Sequence, residues 1–174
     1  MSNASLVYPM CALVALTAFV LVTMFRRRVG AVRTAQVPAK YFRVYQGAAE
    51  PEESAQASRH FTNLFEAPTL FYIACVTAIA TRQVTLVMVV LAWAYVLARA
   101  VHAWIHLGAN RLTPRIRIYG LSWLVLVAMW ILLLLAVSTA SAAELKSPEE
   151  TYRGYPTRIA DVPAGWATTK PLRL

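Results

Sequence analysis

Residues Trp93–Arg117, with the sequence WAYVLARAVHAWIHLGANRLTPRIR, decide the fold. The stretch is apolar enough to lie in a bilayer, yet it contains an arginine and two histidines. A charged side chain near the middle of a membrane helix costs about 2.5–3.5 kcal/mol, so such residues face a protein interior or a wet cavity. Spacings of four, three and four residues place these polar side chains along one side of a helix: Tyr95, Arg99, His102 and His106. We therefore expect this side to face other helices rather than lipid.

The composition is that of an integral membrane protein. Of the 174 residues, 59% are hydrophobic and 14% are charged, whereas a soluble domain has about 25% charged residues. The net charge of +9 comes from arginines beside hydrophobic runs, which indicates orientation in a membrane and not nucleic-acid binding. Cys11 and Cys75 lie inside apolar runs without the spacing of a metal site.

Four hydrophobic runs are long enough to cross a bilayer core of about 30 Å. They predict spans at about residues 6–25, 61–81, 84–107 and 116–137, which form an all-α, antiparallel four-helix transmembrane domain within residues 1–140. Arginines follow the first run and none precedes it, which favours an anchor over a cleaved signal. Basic residues flank the first and third loops, so we expect both loops in the cytoplasm and both termini outside.

Residues 141–174 are expected to form an extramembrane tail. This segment contains four prolines and shows neither a helical nor a strand period. Such a composition is typical of disorder. The aromatic residues Tyr152, Tyr155 and Trp166 would equally suit an extended segment that lies on a neighbouring subunit.

Polar residues are concentrated where three spans reach the cytoplasmic side. Four- and three-residue spacing builds two more polar faces: Arg59, Asn63 and Glu66 on the second span, and Arg115, Tyr119 and Ser122 on the fourth. In an antiparallel bundle these faces meet the polar end of the third span. The pattern therefore predicts a polar site between three helices.

Two of these features allow more than one interpretation. Glu66 and Arg99 lie deep enough to form an ion pair between helices, or to bind a ligand, and the two roles are compatible because a paired carboxylate can also bind an ammonium group. His102 and His106 have a spacing that suits a transition metal when further ligands converge. Neither a Glu-x-x-His pair nor a cysteine cluster completes this pattern. We expect packing histidines and no metal.

The order of these motifs resembles the membrane-associated proteins in eicosanoid and glutathione metabolism, the MAPEG family. The resemblance rests on RxxxNxxExP at residues 59–68, RxxH at residues 99–102 and RxxxY at residues 115–119, and it covers about residues 5–140. It implies a four-helix protomer, usually a homotrimer, with a glutathione site between adjacent subunits near the cytoplasmic face.

The resemblance also implies roles for individual residues. Arg115 would be the catalytic residue, because an arginine beside a thiol favours the nucleophilic anion. The other residues would bind glutathione as co-substrate: Arg28, Arg59, Asn63, Glu66, Arg99, His102 and Tyr119. In this set the arginines would bind carboxylates and Glu66 the amine.

Three residues depart from the family pattern. His60 is out of register with a histidine common in the family, Gln56 or a neighbour replaces an arginine, and His106 stands where glutathione-active members tend to have a tyrosine. The leading hypothesis is a glutathione-dependent transferase or peroxidase acting on lipophilic electrophiles or hydroperoxides. The alternative is a non-catalytic accessory subunit that docks onto a larger membrane complex through residues 145–174. The expected partners are membrane lipids and copies of the same chain, and not nucleic acid.

Overall fold

The computed structural model describes residues 2–47 and 49–146, and within them every regular element is a helix. The helices are α1 (Ala4–Arg33), α2 (Tyr41–Val44), α3 (Glu52–Asn63), α4 (Ala67–Ala80), α5 (Leu86–Leu107) and α6 (Leu112–Lys146). Four segments are long and apolar enough to cross a membrane: Ala4–Arg33, Glu52–Ala80, Leu86–Leu107 and Leu112–Thr139. The prediction of an all-helical membrane protein with four spans is confirmed.

The second span is interrupted, and Pro68 explains where. A proline has no N–H and its ring clashes with the carbonyl four residues earlier, which here belongs to Leu64. Helix α3 accordingly ends at Asn63, and α4 begins at Ala67 with Pro68 in its first turn, where the missing N–H costs nothing. The break leaves Asn63 and Glu66 facing each other across a short turn, where the Asn63 amide donates a 3.2 Å hydrogen bond to the Glu66 carboxylate.

Helix α1 packs against α3, α4 and α5 along a stripe with a seven-residue period. Leu6, Leu13 and Val20 on this stripe are completely buried, as knobs of a helix seam are. In the same core, Phe71 of α4 stacks on Tyr95 of α5 with ring centroids 4.7 Å apart. The seam holds α3 and the C-terminal half of α5 side by side, so that their polar faces meet.

The chain divides into two units, residues 1–136 and 137–174. All the packing described above belongs to the first unit. In the second, residues 137–146 are helical and form the last turns of α6. The expected tail lies outside the described residues from position 147 onward, so the interpretations of it stay predictions.

Candidate functional site

A cavity of about 310 Å³ lies between α3, α5 and α6. Its wall is formed by Arg59, Asn63, His102, His106, Arg115, Ile116 and Tyr119. All three predicted polar faces contribute to this wall, and five of the eight predicted site residues are among its members: Arg59, Asn63, His102, Arg115 and Tyr119. The fold therefore brings together five residues that helical spacing predicted.

A larger cavity, of about 620 Å³, lies beside α1 and the start of α3. None of the eight predicted site residues lines it. Its wall carries basic residues, Arg26 and Arg27, together with acidic ones, Glu52 and Glu53. Because this mixed wall has no excess of one charge, we regard the smaller α3–α5–α6 cavity as the candidate site.

Asn63 connects two charged residues, the buried Arg99 and the exposed Glu66. The guanidinium of Arg99 is completely buried and donates to the side-chain oxygen of Asn63 and, at 3.4 Å, to its backbone carbonyl. The Asn63 amide in turn donates to Glu66. Glu66 and Arg99 form no direct ion pair, because the helix break places Glu66 beyond the end of α3 with Asn63 between them. Neither of the two lines the cavity itself.

Helix α6 supplies Arg115 and Tyr119, one turn apart. The guanidinium of Arg115 donates to the side-chain oxygen of Asn110 in the loop before α6. Asn110 has a φ of +48°, a left-handed conformation in which asparagine is several-fold enriched. The ring centroids of Tyr119 and His102 lie 5.5 Å apart. The guanidinium carbon of Arg99 lies 5.6 Å from the centroid of the Tyr119 ring. The first contact ties Arg115 to the loop before α6, and the other two hold Tyr119 against the α5 wall of the cavity.

Arg28, the predicted site residue on α1, lies elsewhere. It donates a 2.9 Å hydrogen bond to the Ser58 hydroxyl and lies 4.0 Å from the carboxylate of Glu50. The rings of Phe42 and Tyr45 cover its guanidinium at 5.3 and 5.6 Å. Within one protomer Arg28 is therefore not part of the cavity wall, and its assignment to glutathione stays a prediction.

The sequence did not predict that His60 lies beside the wall residues His102 and His106. His60 is completely buried, and its ring lies 5.4 Å from that of His102 and 4.9 Å from that of His106. The sequence did contain a signal, since His60 precedes Asn63 by three residues and so shares its side of α3.

The four spans and the order of the polar residues on them are features of a known protein family. A sequence model of the MAPEG family matches residues 6–135. The chain belongs to the MAPEG family. The matched range includes α3 and α5, and the part of α6 that lines the cavity. Neither a search of curated proteins nor a search of solved structures found a match.

Membership of the MAPEG family supports a general role in glutathione-related or eicosanoid metabolism at a membrane. Together with the four apolar helices, it indicates an integral membrane protein. Chemically, the cavity offers two cationic side chains, Arg59 and Arg115, beside the amide of Asn63 and the phenol of Tyr119. Such a wall suits an anionic ligand that also forms neutral hydrogen bonds.

Proposed function

We propose that this MAPEG protein binds glutathione in the α3–α5–α6 cavity and uses it as a membrane transferase or peroxidase. The observation that carries the proposal is the position of Arg59 and Arg115. They come from different helices, 56 residues apart in sequence, and line one cavity together with Asn63 and Tyr119. Arg59 is exposed and Arg115 is half-buried, so a ligand in the cavity can reach both guanidinium groups.

The ligand's chemistry matches the wall. Glutathione has two carboxylates, an amine and a thiol, and a planar guanidinium binds a carboxylate through two parallel hydrogen bonds. We assign Arg59 of the wall to a carboxylate. Glu66 lies outside the wall but is exposed beside Asn63, and we assign it to the amine. Arg99 is buried against Asn63 and acts on the ligand through it, by fixing the orientation of the amide.

Arg115 is assigned to the thiol. Its positive charge favours the thiolate, which is the nucleophile. In conjugation the thiolate sulfur forms a bond to an electrophilic carbon, and the leaving group departs with the bonding electrons. In peroxide reduction the thiolate sulfur attacks the terminal oxygen of the hydroperoxide, the O–O bond breaks, and the departing alkoxide takes a proton to become an alcohol. The sulfur is left as a sulfenic acid, which a second glutathione converts to a disulfide with release of water. Lipophilic substrates would reach this site from the bilayer along the apolar surface of α6.

Conjugation kinetics of purified, detergent-solubilised protein test this function. With a chloronitrobenzene as electrophile, Arg115→Ala should lower kcat more than it weakens glutathione binding, because the charge acts on the reacting sulfur. Arg117→Ala is the matched control, since Arg117 lies on the same helix but is exposed and outside the cavity wall. Equal kinetics for the wild type and Arg115→Ala, or no turnover by the wild type with electrophile or hydroperoxide, would contradict the proposal.

The oligomeric state, the membrane orientation and the role of the C-terminal residues stay predictions. A homotrimer would place a neighbouring subunit beside the cavity and could bring its Arg28 to the site, as the family resemblance implies. The positive-inside pattern predicts the cavity at the cytoplasmic side of a bacterial inner membrane and both termini outside. The accessory-subunit alternative depends on residues 145–174, of which all after position 146 lie outside the described residues.

A further inference from the structure

The chain has three histidines, and all three meet between α3 and α5. Their exposed fractions are 0% for His60, 3% for His102 and 8% for His106. One nitrogen from each ring can be chosen so that all three lie within 4.8 Å of one another. From this convergence we propose that the three histidines form a binding site for a divalent transition metal ion.

The ring nitrogens of the cluster have unmet bonding capacity. Both nitrogens of His60, and the Nδ1 atoms of His102 and His106, are buried without a hydrogen-bond partner among the protein's atoms. Buried polar groups are otherwise almost always paired, and each exception calls for an explanation. Packing alone does not supply one, because an apolar ring of the same shape would fill the space of His60 without this cost. The proposed glutathione site does not use His60 either.

Metal coordination fits the distances. A zinc–imidazole bond is about 2.0–2.1 Å long, so the nitrogens of a tetrahedral site lie about 3.3 Å apart. The cluster's nitrogens lie within 4.8 Å of one another and need to approach by about 1.5 Å or less, which rotation of the side chains can supply. His102 and His106 share one face of α5 and His60 faces them from α3, so the three ligands come from two packed helices.

The surroundings indicate which ion and which fourth ligand. Imidazoles bind zinc, copper, iron and nickel, and hard oxygen-seeking cations prefer carboxylates, which the cluster lacks. His102 and His106 also line the cavity, so a fourth coordination position would open toward it, as in catalytic zinc sites. Arg59 and Arg115 in the same wall repel a bare dication and therefore favour an anionic fourth ligand. A hydroxide ion would meet this requirement. A glutathione thiolate in the fourth position would depend on the proposed function, whereas the metal site itself does not depend on it.

Metal titration of the full-length protein tests the site directly. The protein is purified in detergent with an affinity tag that contains no histidine, stripped with a chelator and titrated with Zn²⁺ in the absence of glutathione. Bound metal is then counted by elemental analysis after dialysis, and Co²⁺ substitution reports tetrahedral coordination through its visible absorption. We expect one equivalent of Zn²⁺ per chain. His60→Phe, His102→Phe and His106→Phe should each weaken binding by at least about tenfold.

The double variant Cys11→Ser/Cys75→Ala is the control, because it removes the chain's two thiols and should bind Zn²⁺ as the wild type does. His→Gln variants replace any His→Phe variant whose circular dichroism shows lost helix. Absence of Zn²⁺ binding by the wild type, binding that survives all three histidine changes, or binding lost with the thiols would overturn the proposal. Glutathione binding measured on the metal-free protein is a separate readout, so failure of the metal site and failure of the proposed function are distinguishable.

Discussion

The Asn63→Ala substitution tests whether the buried Arg99 depends on Asn63. Arg99 is 0% exposed, and its Nε and Nη1 atoms already lack partners among the protein's atoms. The change removes the side-chain acceptor of Nη2, and a hydrogen bond to a charged group contributes about 1.5–3 kcal/mol. Leaving a buried charge unpaired costs about 3–5 kcal/mol. Because the backbone carbonyl of Asn63 stays within 3.4 Å, we expect a loss of about 3 kcal/mol.

Thermal unfolding in detergent measures this loss. At about 2–4 °C per kcal/mol for a chain of this size, the melting temperature should fall by about 6–12 °C. Thr62→Ala is the matched control, because the neighbouring Thr62 is exposed and its hydroxyl bonds only to the Ser58 carbonyl of the same helix. The double variant Asn63→Ala/Arg99→Met should recover much of the stability, since both partners are then gone. Equal melting temperatures for the two single variants, or additive losses in the double variant, would refute the reasoning.

Two further substitutions test the packing that positions the site. Arg27→Ala removes hydrogen bonds from α1 to α3 and a 2.6 Å hydrogen bond to the last carbonyl of α5. Thermal unfolding should show that the free energy of unfolding falls by about 2 kcal/mol. Arg26 is an exposed neighbour, so Arg26→Ala should change the stability little. Phe71→Ala removes a completely buried ring and should cost about 3–5 kcal/mol, against a much smaller loss for Ile73→Ala, whose side chain is 46% exposed. A loss in either control as large as in its partner would contradict the packing described.

The four spans were predictable because bilayer thickness fixes the length of an apolar run, and basic residues mark its ends. The break at Leu64–Glu66 was not predicted, although Pro68 was visible in the sequence. Hydropathy treats residues 61–81 as one run, whereas the covalent geometry of a single proline divides it. Because of that break, Glu66 accepts a hydrogen bond from the Asn63 amide and forms no ion pair with Arg99.

Helical spacing was sufficient to predict which site residues lie on the same face of one helix. It placed Arg59 with Asn63 and Arg115 with Tyr119, and all four line the cavity. It could not predict the meeting of His60 with two histidines of α5, since contact between helices depends on how each helix is rotated about its axis. Arg28 shows the same limit, because three successive arginines point in three directions and only packing decides which faces which partner.

Calorimetric titration of glutathione into the detergent-solubilised protein tests the central claim, that the α3–α5–α6 cavity is a glutathione site. We predict saturable binding by the wild type and by Arg117→Ala, and binding weakened by at least about tenfold in Arg59→Ala, because a charged hydrogen-bond partner of a ligand carboxylate is lost. Absence of binding by the wild type, or equal affinity in Arg59→Ala and Arg117→Ala, would contradict the account.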